Sequence, residues 1–302
     1  MSFSGKVKEE IISDLPQARH CQIAYLSAIV CTAGRVGIDA HRRLYLQIKH
    51  DNPEVKEITK KLSKNLFDND ELSDSRLCFK MLETTKLLSG AEDILSKKNK
   101  VLDEKDLHWD GLILRRQCCK RAFLKGLFLT SGSVNDPNKA YHLELVFSNE
   151  LYAEDVKELL LDMELEAKVV ERKKYFVVYI KDGQQIVDFL NIIGAPISLM
   201  DMENIRILKD VRNGVNRKVN CEAANIKKTV NAARKQIEDI ELIEKLRGLE
   251  SLPDGLYEMA CLRLSEPDAT LTELGEMLDP PVTKSGVNHR LRKISKIADE
   301  LR

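Results

Sequence analysis

The chain has 302 residues, so we expect two or three packed units. Apolar residues make up 43% of it and charged residues 32%, and no apolar run approaches the ~20 residues of a membrane helix, which argues against an integral membrane protein. The first residues also lack the apolar core of a secretion signal, so we expect a cytoplasmic protein.

The formal net charge is zero, but the charge is unevenly distributed along the chain. Nine Lys and Arg residues lie between Ile205 and Lys235 against two acidic residues, and a second basic run begins at Lys284. Acidic residues between Glu250 and Asp279 bring the net charge of the chain to zero, but they do not neutralise the two basic segments locally. Basic runs are typical of nucleic-acid-binding surfaces, although they are also common on solvated faces.

The seven cysteines are an odd number without regular spacing, and they include the adjacent pair Cys118 and Cys119. This usage is typical of reduced thiols in a cytoplasm rather than of a disulfide framework. We find no pair of motifs with zinc-ligand spacing. We therefore predict no metal site and no cofactor.

The first two thirds of the chain contain an internal repeat at an offset of 98 residues. Segments 23–36 and 121–134 are identical at five of fourteen positions. In each copy small residues recur on a predicted helix, which would let two such helices approach closely. A glycine, Gly34 or Gly132, follows where a helix C-cap is expected.

An alternating apolar pattern predicts a strand after each of these helices, at residues 44–48 and 141–147. In the second copy another alternating run, 174–181, precedes a helical segment from Gln184 to Gly194. The second copy is thus predicted as helix, strand, helix, strand, strand, helix. Two such halves predict an α+β fold, a pseudo-twofold saddle.

The repeated helices resemble the LAGLIDADG motif of homing endonucleases, over Leu26–Gly34 and Leu124–Gly132. In that family the residue before the final glycine is an acid that binds the catalytic divalent metal, whereas these positions are Ala33 and Ser131 here. Neither side chain can replace the carboxylate oxygens that metal-dependent phosphodiester cleavage requires. The resemblance therefore implies a degenerate domain without nuclease activity, retained as a DNA-binding surface or only as a packed scaffold.

Apolar residues recur every three or four positions from Val219 to Leu246, which predicts one long amphipathic helix that ends at Gly248. We expect this helix to link two domains. Cations in the linker segment 214–248 that lie off the apolar stripe are candidate phosphate contacts, although solubility alone also accounts for each of them. The three that we select are Arg217, Lys227 and Lys228.

A helix-turn-helix is predicted near the end of the chain. Thr270 and Glu273 have the spacing of a capping box, which marks the start of a short helix. Pro280 and Pro281 cannot continue that helix, so we expect a turn, after which Thr283 caps a last helix at 284–301. This order of elements is typical of a DNA-binding helix-turn-helix.

The last helix has an apolar face and an opposite polar face that is centred on Ser285, His289, Arg292 and Lys296. Arginine binds guanine bidentately, asparagine binds adenine, and lysines neutralise phosphates, so this face suits a major groove. Arg290 lies nearer the buried side, where we expect a phosphate contact or an intradomain ion pair. The alternative is a basic surface helix without a ligand. The predicted DNA-binding residues are Lys284, Ser285, Asn288, His289, Arg290, Arg292, Lys293 and Lys296.

Segments 284–293, 216–225 and 141–144 closely resemble the WhiA family of bacterial sporulation and cell-division regulators, and the resemblance spans nearly the whole chain. It implies a degenerate LAGLIDADG domain followed by a helix-turn-helix, and a role in transcription or in chromosome-linked control of division. The implied partner is double-stranded DNA in the nucleoid. RNA polymerase or a sigma factor is a further candidate partner, and no small-molecule substrate is expected.

We therefore predict a LAGLIDADG-like domain at 1–213 with lobes at roughly 1–100 and 115–200, a linker helix at 214–248, and a helix-turn-helix domain at 249–302. Two other functions stay open. One is an interaction scaffold for the division or transcription machinery, and the other is a homing-type endonuclease with displaced metal ligands.

For four isolated residues in the repeat region we predict no catalytic, metal-binding or base-stacking role. Trp109 is expected to pack between the lobes rather than to stack on a base. His108 and His142 have no paired carboxylate or cysteine at a ligand spacing, so structural roles are expected for both. Glu144 is either a polar remnant on a saddle strand or a solvent contact at a strand edge.

Overall fold

The computed structural model of this chain comprises two compact units, Met1–Lys209 and Asp210–Arg302. Within the part of the chain that the structure describes, no helix combines the length and apolarity needed to cross a membrane. The described residues are 2–39, 41, 43–87, 101–102, 107 and 109–302.

The first unit contains the two copies of the repeat. The first copy consists of α1 (Phe3–Ser13), α2 (Arg19–Ala33), β1 (Gly34–Ile38), β2 (Leu44–Ile48), α3 (Glu54–Phe67) and α4 (Ser75–Thr84). After a short 3-10 turn, the second copy consists of α5 (Gln117–Ser131), β3 (Gly132–Val134), β4 (Leu143–Phe147), α6 (Glu150–Asp162), β5 (Lys168–Arg172), β6 (Tyr175–Ile180) and α7 (Gly183–Ile193). The predicted α+β fold is confirmed.

The strands of both copies pair antiparallel. β1 pairs with β2, and the second copy forms a four-stranded sheet in the order β3-β4-β6-β5. Along β4 the side chains of Leu143, Leu145 and Phe147 are buried, whereas Glu144 lies on the other face of the sheet and is half-buried. This alternation places one face of the sheet on the core and leaves the other for polar groups.

The repeated helices α2 and α5 pack against each other at the centre of the first unit's core. A Cβ atom added to Gly126 would lie 2.7 Å from the Cβ of Ala28, so small residues do permit the close approach that the repeat predicts. At pseudo-equivalent positions the hydroxyls of Thr32 and Thr130 lie 2.7 Å apart and hydrogen-bond across the pair. The repeated helices therefore form an interface with approximate twofold symmetry.

The predicted glycines end these helices, but in extended backbone rather than in the left-handed conformation of many helix caps. Gly34 has φ −82° and ψ 144°, and Gly132 has φ −91° and ψ 149°. Each glycine also begins a strand, β1 or β3, that the sequence pattern did not predict. β3 has only three residues, and in β1 the glycines Gly34 and Gly37 interrupt the apolar alternation that marks a strand.

The second unit is helical. It includes the carboxyl-terminal part of α8 (Pro196–Arg247), followed by α9 (Asp254–Ser265), α10 (Leu271–Glu276) and α11 (Lys284–Leu301). Its core is formed by apolar side chains from all four helices and the turn after α8, namely Ile240, Ile243, Leu249, Leu252, Met259, Ala260, Leu274, Leu278, Val287, Leu291, Ile294 and Ala298.

The long helix differs from its prediction in two respects. α8 begins at Pro196, well before Val219 and before the predicted linker at 214–248. Much of its apolar stripe is also exposed, because Val219, Ile226 and Val230 are 55%, 65% and 58% accessible. Spacing of three and four identifies one face of a helix, but it does not determine whether another element covers that face.

Candidate nucleic-acid interface

The start of α10 is held by the predicted capping box. The Thr270 hydroxyl accepts a hydrogen bond from the Glu273 amide at 3.3 Å, and the Thr270 amide donates to the Glu273 carboxylate at 2.7 Å. The hydrogen bond from the Thr270 amide, with a smaller contribution from the Thr270 side chain, holds the pKa of the Glu273 carboxyl below its ordinary value. Two amides at the start of the helix are thereby satisfied, which fixes where α10 begins.

The turn between α10 and α11 closes on a glycine. The Val282 amide donates to the Gly275 carbonyl at 2.8 Å, and a Cβ at Gly275 would lie 2.0 Å from the Val282 carbonyl oxygen. The Thr283 hydroxyl then accepts from the Gly286 amide and caps α11, as predicted. The two helices are therefore joined at a defined geometry, which a helix-turn-helix requires.

A buried arginine holds the segment before α10, and the sequence analysis missed it. Arg263 is 2% exposed, and its Nη1 donates to the carbonyl of Ala269 at 2.8 Å and to two further carbonyls of the same turn. Burial lowers the pKa of this guanidinium. Its position was visible in the sequence, since Arg263 follows the buried Met259 and Ala260 at helical spacing.

The last helix presents its predicted polar face to solvent. Val287, Leu291, Ile294 and Ala298 are buried, which confirms the apolar face. On the outward side Asn288 is half-buried, and the exposed side chains are Lys284, Ser285, His289, Arg292, Lys293 and Lys296. The helix therefore carries cations and hydrogen-bonding groups on one accessible surface, which we call the α11 polar face.

Arg290 differs from these residues because it makes contacts within its own unit. Its Nη1 donates to the Gly255 carbonyl at 3.3 Å and lies 4.0 Å from a Glu258 carboxylate oxygen. These contacts join α11 to the start of α9. They agree with the intradomain role that its position near the apolar face suggested.

The three candidate phosphate contacts on α8 are all exposed, but they are not equivalent. Lys228 and Lys284 line the same groove of about 370 Å³, together with Thr270 and Thr272. The structure thus brings a cation of α8 beside the first residue of α11. Lys227 does not line this groove, and Arg217 lies about 16 Å from Lys228 along the helix axis at 1.5 Å per residue.

In the first unit the positions of the LAGLIDADG acids have no carboxylate. Ala33 is buried, and the Ser131 hydroxyl donates to the Leu127 carbonyl at 2.8 Å within its own helix. Hard cations are held mainly by carboxylate oxygens. These two side chains therefore provide no ligands for the metal ions that cleave phosphodiester bonds.

The sheet of the second copy carries a polar cluster, which gives His142 a carboxylate partner that its spacing did not predict and excludes the strand-edge alternative for Glu144, since β4 is an interior strand. His142 Nε2 lies 3.1 Å from a Glu144 carboxylate oxygen, so the histidine does have a paired carboxylate. Glu144 also accepts a hydrogen bond from Ser133 at 3.3 Å and lies 3.6 Å from Arg172. Glu144 is thus held by neighbours across three strands and is not a simple solvent contact.

The remaining isolated aromatic residue is buried. The Trp109 ring packs against the rings of Phe123 and Tyr152 at centroid distances of 5.0 and 4.6 Å, which agrees with a packing role. Both of these rings belong to the second copy of the repeat. His108 lies outside the described residues.

The chain matches two known domains. Residues 120–212 match the WhiA LAGLIDADG-like domain, and residues 215–298 match the WhiA C-terminal HTH domain. The probable cell division protein WhiA of Lachnoclostridium phytofermentans is 45% identical over 316 residues, which cover 100% of both chains. The protein of the same name from Clostridium acetobutylicum is 45% identical over 313 residues, covering 100% of this chain and 99% of that one.

A solved structure agrees with these matches. The crystal structure of full-length WhiA from Thermatoga maritima covers 99% of each chain at 25% identity, with a TM-score of 0.51. Sequence similarity over the full length, both domain matches and the fold therefore agree. The chain belongs to the WhiA family.

Proposed function

We propose that this protein is a sequence-specific DNA-binding transcription regulator linked to cell division, and that it binds DNA without cleaving it. The observation that carries the proposal is the α11 polar face, an exposed set of cations and hydrogen-bonding groups on a capped and anchored helix. The link to division follows from the names of the relatives, which are probable cell division proteins.

In this proposal α11 lies in the major groove of double-stranded DNA. Arg292 and Asn288 would contact base edges, because their side chains can form bidentate hydrogen bonds with guanine and adenine. The lysines of the face would contact phosphates on either side, and Lys228 would add a contact next to Lys284 across their common groove. Arg290 would act from within the unit, by holding α11 on α9.

The experiment is a binding measurement on selected genomic fragments and on unrelated DNA at several salt concentrations. Arg292→Ala should cost about 1–3 kcal/mol on the selected fragments and much less on unrelated DNA. Lys293→Ala should weaken binding to both and should reduce the logarithmic salt slope by about one. Lys157→Ala, which removes a half-exposed lysine of the first unit, is the matched control.

Unchanged affinity and an unchanged salt slope in both α11 variants would contradict this assignment. The alternative hypothesis of nuclease activity is tested separately, by incubating supercoiled plasmid with the purified protein and Mg²⁺ or Mn²⁺. The proposal expects intact plasmid, because Ala33 and Ser131 replace the two metal-binding acids. Metal-dependent cleavage that is lost on chelation would favour the endonuclease instead.

We further propose that the domains divide at 1–213, 214–248 and 249–302, and that the protein is associated with the nucleoid. Chromatin immunoprecipitation of the full chain and of Arg292→Ala tests the nucleoid association and which unit carries DNA recognition. If α11 carries recognition, discrete chromosomal peaks should disappear in the variant. If RNA polymerase or a sigma factor is a partner, it should copurify with both proteins. Retained peaks would instead assign DNA recognition to the LAGLIDADG-like unit, and no peaks in either protein would favour an interaction scaffold.

A further inference from the structure

Packing of the repeated helices brings together four potential metal ligands at their amino-terminal ends. His20 and Cys21 lie in the first turn of α2, and Cys118 and Cys119 lie in the first turn of α5, at the offset of the internal repeat. The sequence predicted no metal site, because neither pair has the spacing of a zinc motif. In the folded chain the two pairs lie next to each other, although their spacing along the sequence does not indicate this.

The four ligand atoms form a compact set. They all lie within 4.8 Å of one another. The Nδ1 atom of His20 is 3.2 Å from the Cys21 sulfur, 3.3 Å from the Cys119 sulfur and 3.9 Å from the Cys118 sulfur. A tetrahedral zinc ion with bonds of about 2.3 Å to sulfur and 2.0 Å to nitrogen separates its ligand atoms by about 3.5–3.8 Å. The observed spacing is close to what this geometry requires.

We propose that His20, Cys21, Cys118 and Cys119 bind one zinc ion that joins the starts of α2 and α5. Three thiolates and one imidazole are a ligand set typical of structural zinc, and tetrahedral sulfur and nitrogen coordination favours zinc over the harder divalent cations. Four protein ligands leave no open position, so the site is structural rather than catalytic.

The surroundings fit the charge of such a site. Zinc with three thiolates and a neutral histidine carries a net charge of −1, and Arg115 and Arg116, directly before α5, line the same cavity as His20 and Cys119. Cys21 and Cys119 are buried, whereas Cys118 is exposed and leaves a route for the ion to enter. The ligands therefore combine a partly dry environment, compensating cations and an access path.

The zinc site is separate from the positions of the LAGLIDADG acids. Ala33 is thirteen residues from His20 on the same helix, or about 20 Å at 1.5 Å per residue. The ion would fasten one end of the α2 and α5 pair, while Thr32 and Thr130 hydrogen-bond near the other. A site at this end would stabilise the two-copy arrangement without taking part in phosphodiester chemistry.

The first test compares two exposed cysteines in the unmodified chain, Cys118 and Cys221. The protein is purified under reducing conditions, loaded with zinc and treated with iodoacetamide, and the modified peptides are quantified by mass spectrometry. Cys118 should react at least about tenfold more slowly than Cys221, because a metal-bound thiolate is a poor nucleophile, and a chelator should remove this protection. Equal reactivity of the two cysteines in the presence of zinc would overturn the proposal.

The second test uses Co²⁺ as a spectroscopic substitute for zinc. The native chain should bind one Co²⁺, with the thiolate charge-transfer and tetrahedral d–d bands, and zinc should displace it. Cys119→Ser should weaken these bands, whereas Cys78→Ser, a change at a buried cysteine outside the cluster, should retain them. Absent thiolate bands, identical spectra in the native chain and Cys119→Ser, or a disulfide within the cluster of freshly purified protein would each overturn the proposal.

Discussion

The close contact between α2 and α5 can be tested by adding a single methyl group. A Cβ at Gly126 would lie 2.7 Å from the Cβ of Ala28 and 2.8 Å from the carbonyl oxygen of Tyr25, whereas carbon atoms pack best about 3.5–4.0 Å apart. One of these contacts is with backbone, so the helices must separate. Overpacking of this kind costs about 1–3 kcal/mol, against a gain of about 0.5–1 kcal/mol from replacing glycine within a helix. Gly126→Ala should therefore destabilise the first unit by about 1–2 kcal/mol.

The chain contains a suitable control and a suitable probe. Gly214 is also helical, but a Cβ there meets no atom within 4 Å, so Gly214→Ala should be neutral or stabilising. The single tryptophan, Trp109, packs on Phe123 of α5, so its fluorescence during urea unfolding reports on the first unit.

The two variants should differ in the midpoint of that fluorescence transition. For a slope of about 2–3 kcal/mol per molar urea, Gly126→Ala should lower the midpoint by about 0.3–1 M. Gly214→Ala should leave it unchanged. A midpoint for Gly126→Ala equal to or above that of the native chain would refute the close approach of α2 and α5.

Three further predictions concern the hydrogen bonds that hold each unit. Thr32→Val and Thr130→Val should show a coupling of about 0.5–1.5 kcal/mol in a double-mutant cycle of urea unfolding, and strictly additive effects would contradict a direct hydroxyl pair. Arg263→Met should cost the second unit about 1–2 kcal/mol, measured by circular dichroism, because the half-buried Ala269 carbonyl loses its donor; full stability would show that the arginine is not needed. The capping box stabilises α10 fully above the ordinary carboxyl pKa, roughly pH 4–5, and loses this contribution as the pH falls through the lowered pKa of Glu273. Glu273→Gln should reduce this loss of α10 stability at acid pH, followed through the amide resonances of α10 in an NMR pH titration. An unchanged pH profile would argue against a role of the Glu273 carboxylate.

The helix-turn-helix could be predicted in some detail because its determinants are local. The Thr270 cap, the two prolines and the Thr283 cap act within three or four residues of themselves, and each is present where it was expected. The helical period of apolar residues in α11 predicted which of its side chains are buried, and these side chains do face the core of the second unit. The proposed contacts of its polar face with DNA stay a prediction, because they depend on a partner.

The repeat was also visible in the sequence, but its consequences were only partly predictable. Small residues at the same positions of two helices indicate close packing, and α2 and α5 do pack at Gly126. The strands β1 and β3 were missed, since β3 has only three residues and two glycines interrupt the apolar alternation of β1. The pairing of His142 with Glu144 was missed although residues two apart in an extended segment share a face, which places these two side chains side by side.

The sequence by itself determined the fold class, the capped helices of the second unit and which side of α11 is polar, because these depend on short-range periodicity and capping. Only the tertiary structure decided which side chains meet across long separations. It buried Arg263 under a turn, left the Val219 to Val230 stripe exposed, and placed His20 and Cys21 against Cys118 and Cys119. The physical reason is that burial and ligand geometry are set by the packing of whole elements, whereas the spacing of residues along the chain records only the faces on which they lie.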